Sequence, residues 1–134
     1  TAGNHGQDLL KEGNKHETSS LFNHKTVLSL EVFPPKRTAP VGTIYNTLDE
    51  LKGITPDFIS VTYGAGGSMT DNYTCEIAST IKKRFGIETL AHLTCINSSE
   101  KSQGDVGRFQ AAEIENVLTL RGDIVPDQEI KKDF

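Results

Sequence analysis

The sequence predicts an α/β domain of parallel strands joined by helical crossovers, and three observations lead there. Short apolar runs bounded by turn residues alternate with longer segments whose apolar residues recur at helical spacing. The resulting order, βαβαβαβ, belongs to parallel strands, which need a long crossover between neighbours. The strands also carry polar residues on one face, gathered toward their C-terminal ends.

Residues 1–20 are polar, contain Gly3, Gly6 and Gly13, and lack a repeated apolar face. A flexible N-terminal tail is expected there, with at most a helical turn around Leu9–Lys11. The chain begins with Thr rather than Met, as a processed, truncated or incomplete sequence does. Organised patterning starts at Leu21, which sets the domain at 21–134. Thr26–Glu31 is the first expected strand, and Ile44, Leu48 and Leu51 mark one side of the helix after it. Phe58–Thr62 is the second strand. Its helix carries Ile77, Ala78, Ile81 and Phe85, with Thr70 or Asp71 suited to cap its start and Gly86 to stop it. Thr89–Thr94 is the third strand. The third helix, spanning about 100–112, is the weakest: Val106, Phe109 and Ala112 make a face, but Gly104 and Gly107 each cost about 1 kcal/mol. Val117–Leu120 is the fourth strand.

Side chains alternate along a strand, so each strand has two readable faces. Ser29 and Glu31 oppose Leu28 and Leu30; Ser60 and Thr62 oppose Ile59 and Val61; His92 and Thr94 oppose Ala91 and Leu93. In the fourth strand Thr119, Arg121 and Asp123 are expected to take the polar side, opposite Leu118 and Leu120. Glu31, Thr62, His92 and Asp123 recur at intervals of 31, 30 and 31 residues, each near a strand's C-terminal end. Barrels of the (β/α)₈ type gather functional groups at one mouth in this way. An open doubly wound sheet, covered on both faces, favours strands that are apolar throughout. The pattern favours the barrel and leaves the open sheet as the alternative.

Composition narrows the function. A net charge of -4 without clustered Lys and Arg argues against a nucleic-acid partner. No apolar run approaches the roughly 18 residues that span a membrane, and no signal-peptide core is present. Two cysteines, Cys75 and Cys95, make no disulfide framework, so a reduced, cytoplasmic protein is expected. His92 and Cys95 fall on opposite faces of a strand, which argues against a shared metal, and none is expected.

Four stretches say more: Ser29-Leu-Glu-Val-Phe-Pro-Pro-Lys36, Asp57-Phe-Ile-Ser-Val-Thr-Tyr-Gly-Ala-Gly-Gly-Ser68, Ala91-His-Leu-Thr-Cys95 and Ile114-Glu-Asn-Val-Leu-Thr-Leu-Arg-Gly-Asp123. In that order and spacing, between Leu21 and Asp127, the chain closely resembles the methylenetetrahydrofolate reductase family. The resemblance implies a (β/α)₈ TIM barrel of roughly 300 residues, of which this chain supplies the first four βα units. It also implies FAD at the C-terminal mouth and reduction of 5,10-methylenetetrahydrofolate to 5-methyltetrahydrofolate, in one-carbon and methionine metabolism. The electron donor would be NADH, NADPH or a partner electron-transfer protein, and the full-length form a homo-oligomer.

The same resemblance assigns roles. Glu31 matches the general acid that protonates the folate and opens its five-membered ring, a task suited to a carboxyl in a partly dry site. Asp123 matches the carboxylate beside the flavin, which tunes its hydride-donating power and helps hold the folate. Tyr63, Ala65, His92, Arg121 and Gly122 match flavin contacts, and Thr62 a contact to the nicotinamide donor. The Gly64-Ala65-Gly66-Gly67 turn allows close backbone approach but is neither a dinucleotide fingerprint nor a P-loop. Arg121-Gly122-Asp123 also spells an adhesion tripeptide, yet it follows an apolar strand rather than sitting on a protruding loop.

The chain departs from the family at Glu113, where a glycine is common, and by about one residue in each of two helical segments. It also lacks the later strands, so the isolated chain is expected to bind FAD weakly and to be inactive alone. Two other readings stay open: a pterin-dependent methyltransferase barrel, which also places acids at strand ends, and a non-catalytic half-barrel that self-associates through its unpaired edges.

Overall fold

The computed structural model describes residues 17–35, 40–51, 53–63, 72–94 and 99–121. Its elements are α1 (Thr18–Leu21), β1 (Ser29–Val32), α2 (Gly42–Glu50), β2 (Phe58–Val61), α3 (Asn72–Phe85), β3 (Glu88–Thr94), α4 (Ser99–Ala111) and β4 (Asn116–Leu120). The strands form one sheet in the order β1-β2-β3-β4, each pair parallel. A doubly wound sheet reverses direction at a switch point; the four described strands do not.

The core shows on which side the helices lie. Leu48 of α2, Ile77, Ala78 and Ile81 of α3, and Phe109 of α4 pack with Ile59 and Val61 of β2 and Ala91 and Leu93 of β3. Alternation and parallel pairing put those strand residues on a single face. All three crossover helices therefore cover the same side of the described sheet, the arrangement a barrel segment has. Ile59, Ile77 and Ile81 are fully buried, each worth about 1.5–3 kcal/mol of apolar burial.

β1 starts later than the apolar run suggests, at Ser29, because Asp57 claims the backbone before it. Its Oδ2 accepts the Leu28 N–H at 3.0 Å, its own N–H donates to the Leu28 carbonyl at 2.7 Å, and Lys25 pairs with its carboxylate. These bonds fix the register Ser29↔Phe58 that carries Glu31 to Ser60.

α4 forms in full despite Gly104 and Gly107. Phe109 and Asp105 are buried on its inner side, and tertiary packing outweighs propensity. Its end carries a left-handed residue, Glu113, at φ 60°. The Ile114 N–H donates to the Phe109 carbonyl at 2.9 Å and the Glu113 N–H to the Gln110 carbonyl at 3.1 Å, the double bond of a Schellman stop. Phe109 and Ile114 meet in the core, the apolar contact that accompanies it. The missing glycine is thus a strained stop rather than a broken helix. α3 ends as expected, with Gly86 at φ 65°; Thr70 and Asp71, the expected caps of its start, lie outside the described residues.

The expected boundary at residue 21 falls at the end of α1, which is anchored. Thr18 is buried, and both its N–H and its hydroxyl donate to Asn116 Oδ1 at the start of β4, at 2.9 and 3.2 Å. Phe22 meets Phe58 edge-on at the start of β2, with ring centroids 6.3 Å apart. The expected tail before Glu17, with the turn around Leu9–Lys11, lies outside the described residues. Cys75 is a free, half-buried thiol, and Cys95 also falls outside. No helix among the described residues is long and apolar enough to cross a membrane.

Candidate active site

The face of the sheet away from the helices carries the polar residues. Glu31 pairs with Ser60 and Ser60 with Leu90; His92, two residues beyond Leu90, points to the same side, so Glu31, Ser60 and His92 share one face across three strands. His92 Nε2 lies 3.7 Å from Glu31 Oε1, a contact that is ionic only when the imidazole is protonated. The Ser60 hydroxyl lies between, 3.5 Å from Glu31 Oε1 and 3.4 Å from the Leu30 carbonyl, with one proton to share. The His92 side chain is 11% exposed and that of Glu31 45%. The partly dry setting expected around Glu31 is therefore not supplied by the described residues.

Thr62 follows β2 and is held on both sides. Its N–H donates to the Val32 carbonyl at 3.0 Å, and its carbonyl accepts the Thr74 hydroxyl of α3 at 3.0 Å. The next residue turns away from this face. Tyr63 packs against the helix-side core, and its hydroxyl donates to Asp105 Oδ2 of α4 at 3.5 Å. Its backbone, rather than its phenol, is what Tyr63 presents beside Thr62.

The fourth strand corrects an expectation. Leu118 pairs with His92 and Leu120 with Thr94, so both leucines share the face of Glu31, while Thr119 takes the helix side beside Leu93. Alternation fixes the two faces within a strand, but the phase between strands is set by the crossover and the register, which the local pattern does not carry. The face therefore combines a polar edge with an apolar floor: Leu118 and Leu120 are 40% and 39% exposed. That mixture suits a flat heteroaromatic ring, which needs apolar area under its plane and hydrogen-bonding groups at its rim. Arg121 is exposed directly after β4; Ala65, Gly122 and Asp123 lie outside the described residues.

Sequence reasoning brought Glu31, Thr62, His92 and Asp123 to one rim; the structure brings Glu31 and His92 within 3.7 Å and puts Thr62 directly after β2, while Asp123 lies outside the described residues. It did not single out Ser60, Thr74 or Asp105. Ser60 was legible as a polar-face residue, and Asp105, four before Phe109, as a charge on the buried side of α4. Among the described residues no group of three His, Cys, Asp or Glu side chains is placed to hold a metal.

A sequence model of the family described as methylenetetrahydrofolate reductase matches residues 16–133. The chain belongs to the methylenetetrahydrofolate reductase family. Relatives agree with the match. The 5,10-methylenetetrahydrofolate reductase of Buchnera aphidicola subsp. Baizongia pistaciae is 40% identical over 116 residues, covering 83% of this chain and 39% of that protein. Its counterpart in Escherichia coli is 37% identical over 100 residues, 74% of this chain and 33% of that protein. Methylenetetrahydrofolate reductase (NADH) 1 of Arabidopsis thaliana is 41% identical over 100 residues, 74% of this chain and 17% of that protein. The chain thus spans less than half the length of the reductases it matches.

Proposed function

We propose that this chain forms the first part of a flavin-dependent reductase that converts 5,10-methylenetetrahydrofolate to 5-methyltetrahydrofolate. The observation that carries the proposal is the convergence of Glu31, Ser60 and His92 on one strand-end rim, within the motif stretches that resemble the family. FAD would supply hydride carriage between donor and folate. His92, Arg121, Gly122, Asp123, Ala65 and the Tyr63 backbone would hold it, over the floor made by Leu118 and Leu120.

This chain's residues would prepare the folate for the hydride. The Glu31 carboxyl delivers a proton to the folate nitrogen N10, opening the ring and leaving the one-carbon unit electrophilic. Ser60 and His92 border the same Glu31 oxygen and restrict where that carboxyl points. Thr62 would contact NADH or NADPH, and Asp123, by its match to the family's motif, would tune the flavin and help hold the folate. Later strands of the barrel would close the other half of the rim and dry Glu31. The 134-residue chain alone is accordingly expected to bind FAD weakly and to show no turnover, and the full-length protein to be a cytoplasmic homo-oligomer.

The test uses the full-length protein without oxygen. NADH or NADPH should bleach a bound yellow flavin, and 5,10-methylenetetrahydrofolate should restore the colour with formation of 5-methyltetrahydrofolate. A colourless protein, or a flavin that the folate leaves reduced, contradicts the proposal.

A further inference from the structure

Asp105 is a buried carboxylate in the outer helix layer that none of the steps above employs. Burying such a group is costly unless hydrogen bonds compensate. Among the described residues its oxygens face the Tyr63 hydroxyl at 3.5 Å and Arg108 Nη1 at 3.4 Å. Tyr63 directly follows Thr62, whose carbonyl is held at 3.0 Å by the hydroxyl of the fully buried Thr74. On its other side the Thr62 N–H is tied to the carbonyl of Val32, the residue after Glu31. The backbone at Thr62 is thereby fastened to β1, α3 and α4 together.

We infer that Thr74 and Asp105, acting on the Thr62 carbonyl and through the Tyr63 phenol, are positioning residues that set Thr62 for the nicotinamide donor. The inference rests on the proposed reductase function and deepens it. Neither residue reaches the face that carries Glu31, so the brace acts on the donor's contact and leaves the proton donor's own surroundings, Ser60 and His92, in place.

The test compares the two half-reactions of the full-length protein for wild type, Thr74→Val, Asp105→Leu and Asp105→Asn. Tyr63→Phe joins them because it deletes one hydroxyl and keeps the ring, should Asp105→Leu fail to fold. Thr74→Val, Tyr63→Phe and Asp105→Leu are expected to raise the half-saturating NADH concentration for flavin reduction about five-fold, the scale of one hydrogen bond. The folate concentration dependence of flavin reoxidation should stay within about two-fold of wild type, and Asp105→Asn, which keeps an acceptor for Tyr63, should restore the donor value. Donor and folate constants rising by the same factor, or neither changing while the melting temperature falls, overturn the brace alone. The donor arm uses whichever of NADH and NADPH reduces the wild-type flavin; a wild-type protein whose flavin neither reduces overturns the reductase function and the brace with it.

Discussion

His92 Nε2 lies 3.7 Å from Glu31 Oε1, and the Ser60 hydroxyl of the intervening strand approaches the same oxygen to 3.5 Å. One carboxylate oxygen is thus bordered by groups from two neighbouring strands, which limits its rotation without enclosing it. Orientation of a proton donor within a fraction of an ångström decides much of its catalytic worth. Ser60→Ala is expected to slow reoxidation of the flavin by folate about ten-fold and to leave reduction by NADH unchanged. Single-turnover kinetics of each half-reaction in the full-length protein check this.

Asn116 joins the two ends of the described chain. Its Oδ1 accepts the Thr18 N–H and hydroxyl, and its Nδ2 donates to Glu88 Oε1 at 3.2 Å, where Lys82 also binds Glu88. Asn116→Ala removes the acceptor of a buried backbone N–H, so a loss of about 1–3 kcal/mol is expected. Urea unfolding gives the value, and α1 should become susceptible to proteolysis under native conditions.

Gly104 and Gly107 lie in the interior of α4 with open space where a Cβ would stand. Each Gly→Ala change is expected to stabilise by about 0.5–1 kcal/mol. Glu113→Gly should stabilise by about 1 kcal/mol, because a left-handed non-glycine residue is strained there and its bond from Lys82 goes to the backbone carbonyl. Denaturant midpoints test the three changes singly and combined.

Asp57 fixes the β1–β2 register, and its carboxyl is held below the usual aspartate value, first by the Lys25 hydrogen bond and then by the Leu28 N–H. A folded-state value below the unfolded one contributes stability that is present above roughly pH 4 and lost as pH falls through the folded value. Wild-type melting temperature should therefore drop on acidification below about pH 4 more steeply than that of Asp57→Asn. Equal slopes would show that Asp57 carries none of the acid sensitivity.

Much of this fold was legible because its signals are local. Apolar runs, helical spacing and the Gly86 stop depend on residues close in the chain, and the structure puts elements where they fall. The polar faces of β1, β2 and β3 were legible for the same reason. The phase of β4 was not, since Leu118 meets His92 only through a register set across a whole crossover. The bonds of Thr18 to Asn116 and of Tyr63 to Asp105 join residues 98 and 42 apart, beyond any local pattern. α4 was underrated because glycine penalties are visible in sequence, whereas burial of Phe109 against the sheet is not. At the site, Glu31 stood out through its motif, but the Ser60 hydroxyl beside it became meaningful only once β1 and β2 were aligned.

The most direct test of the central claim, that Glu31 is the proton donor on this rim, is Glu31→Gln in the full-length protein, followed anaerobically through both half-reactions. NADH should reduce the flavin at close to the wild-type rate, while reoxidation by 5,10-methylenetetrahydrofolate slows by about 10²-fold or more, the scale of a lost general acid. Reoxidation at the wild-type rate, with folate binding intact, would contradict the assignment.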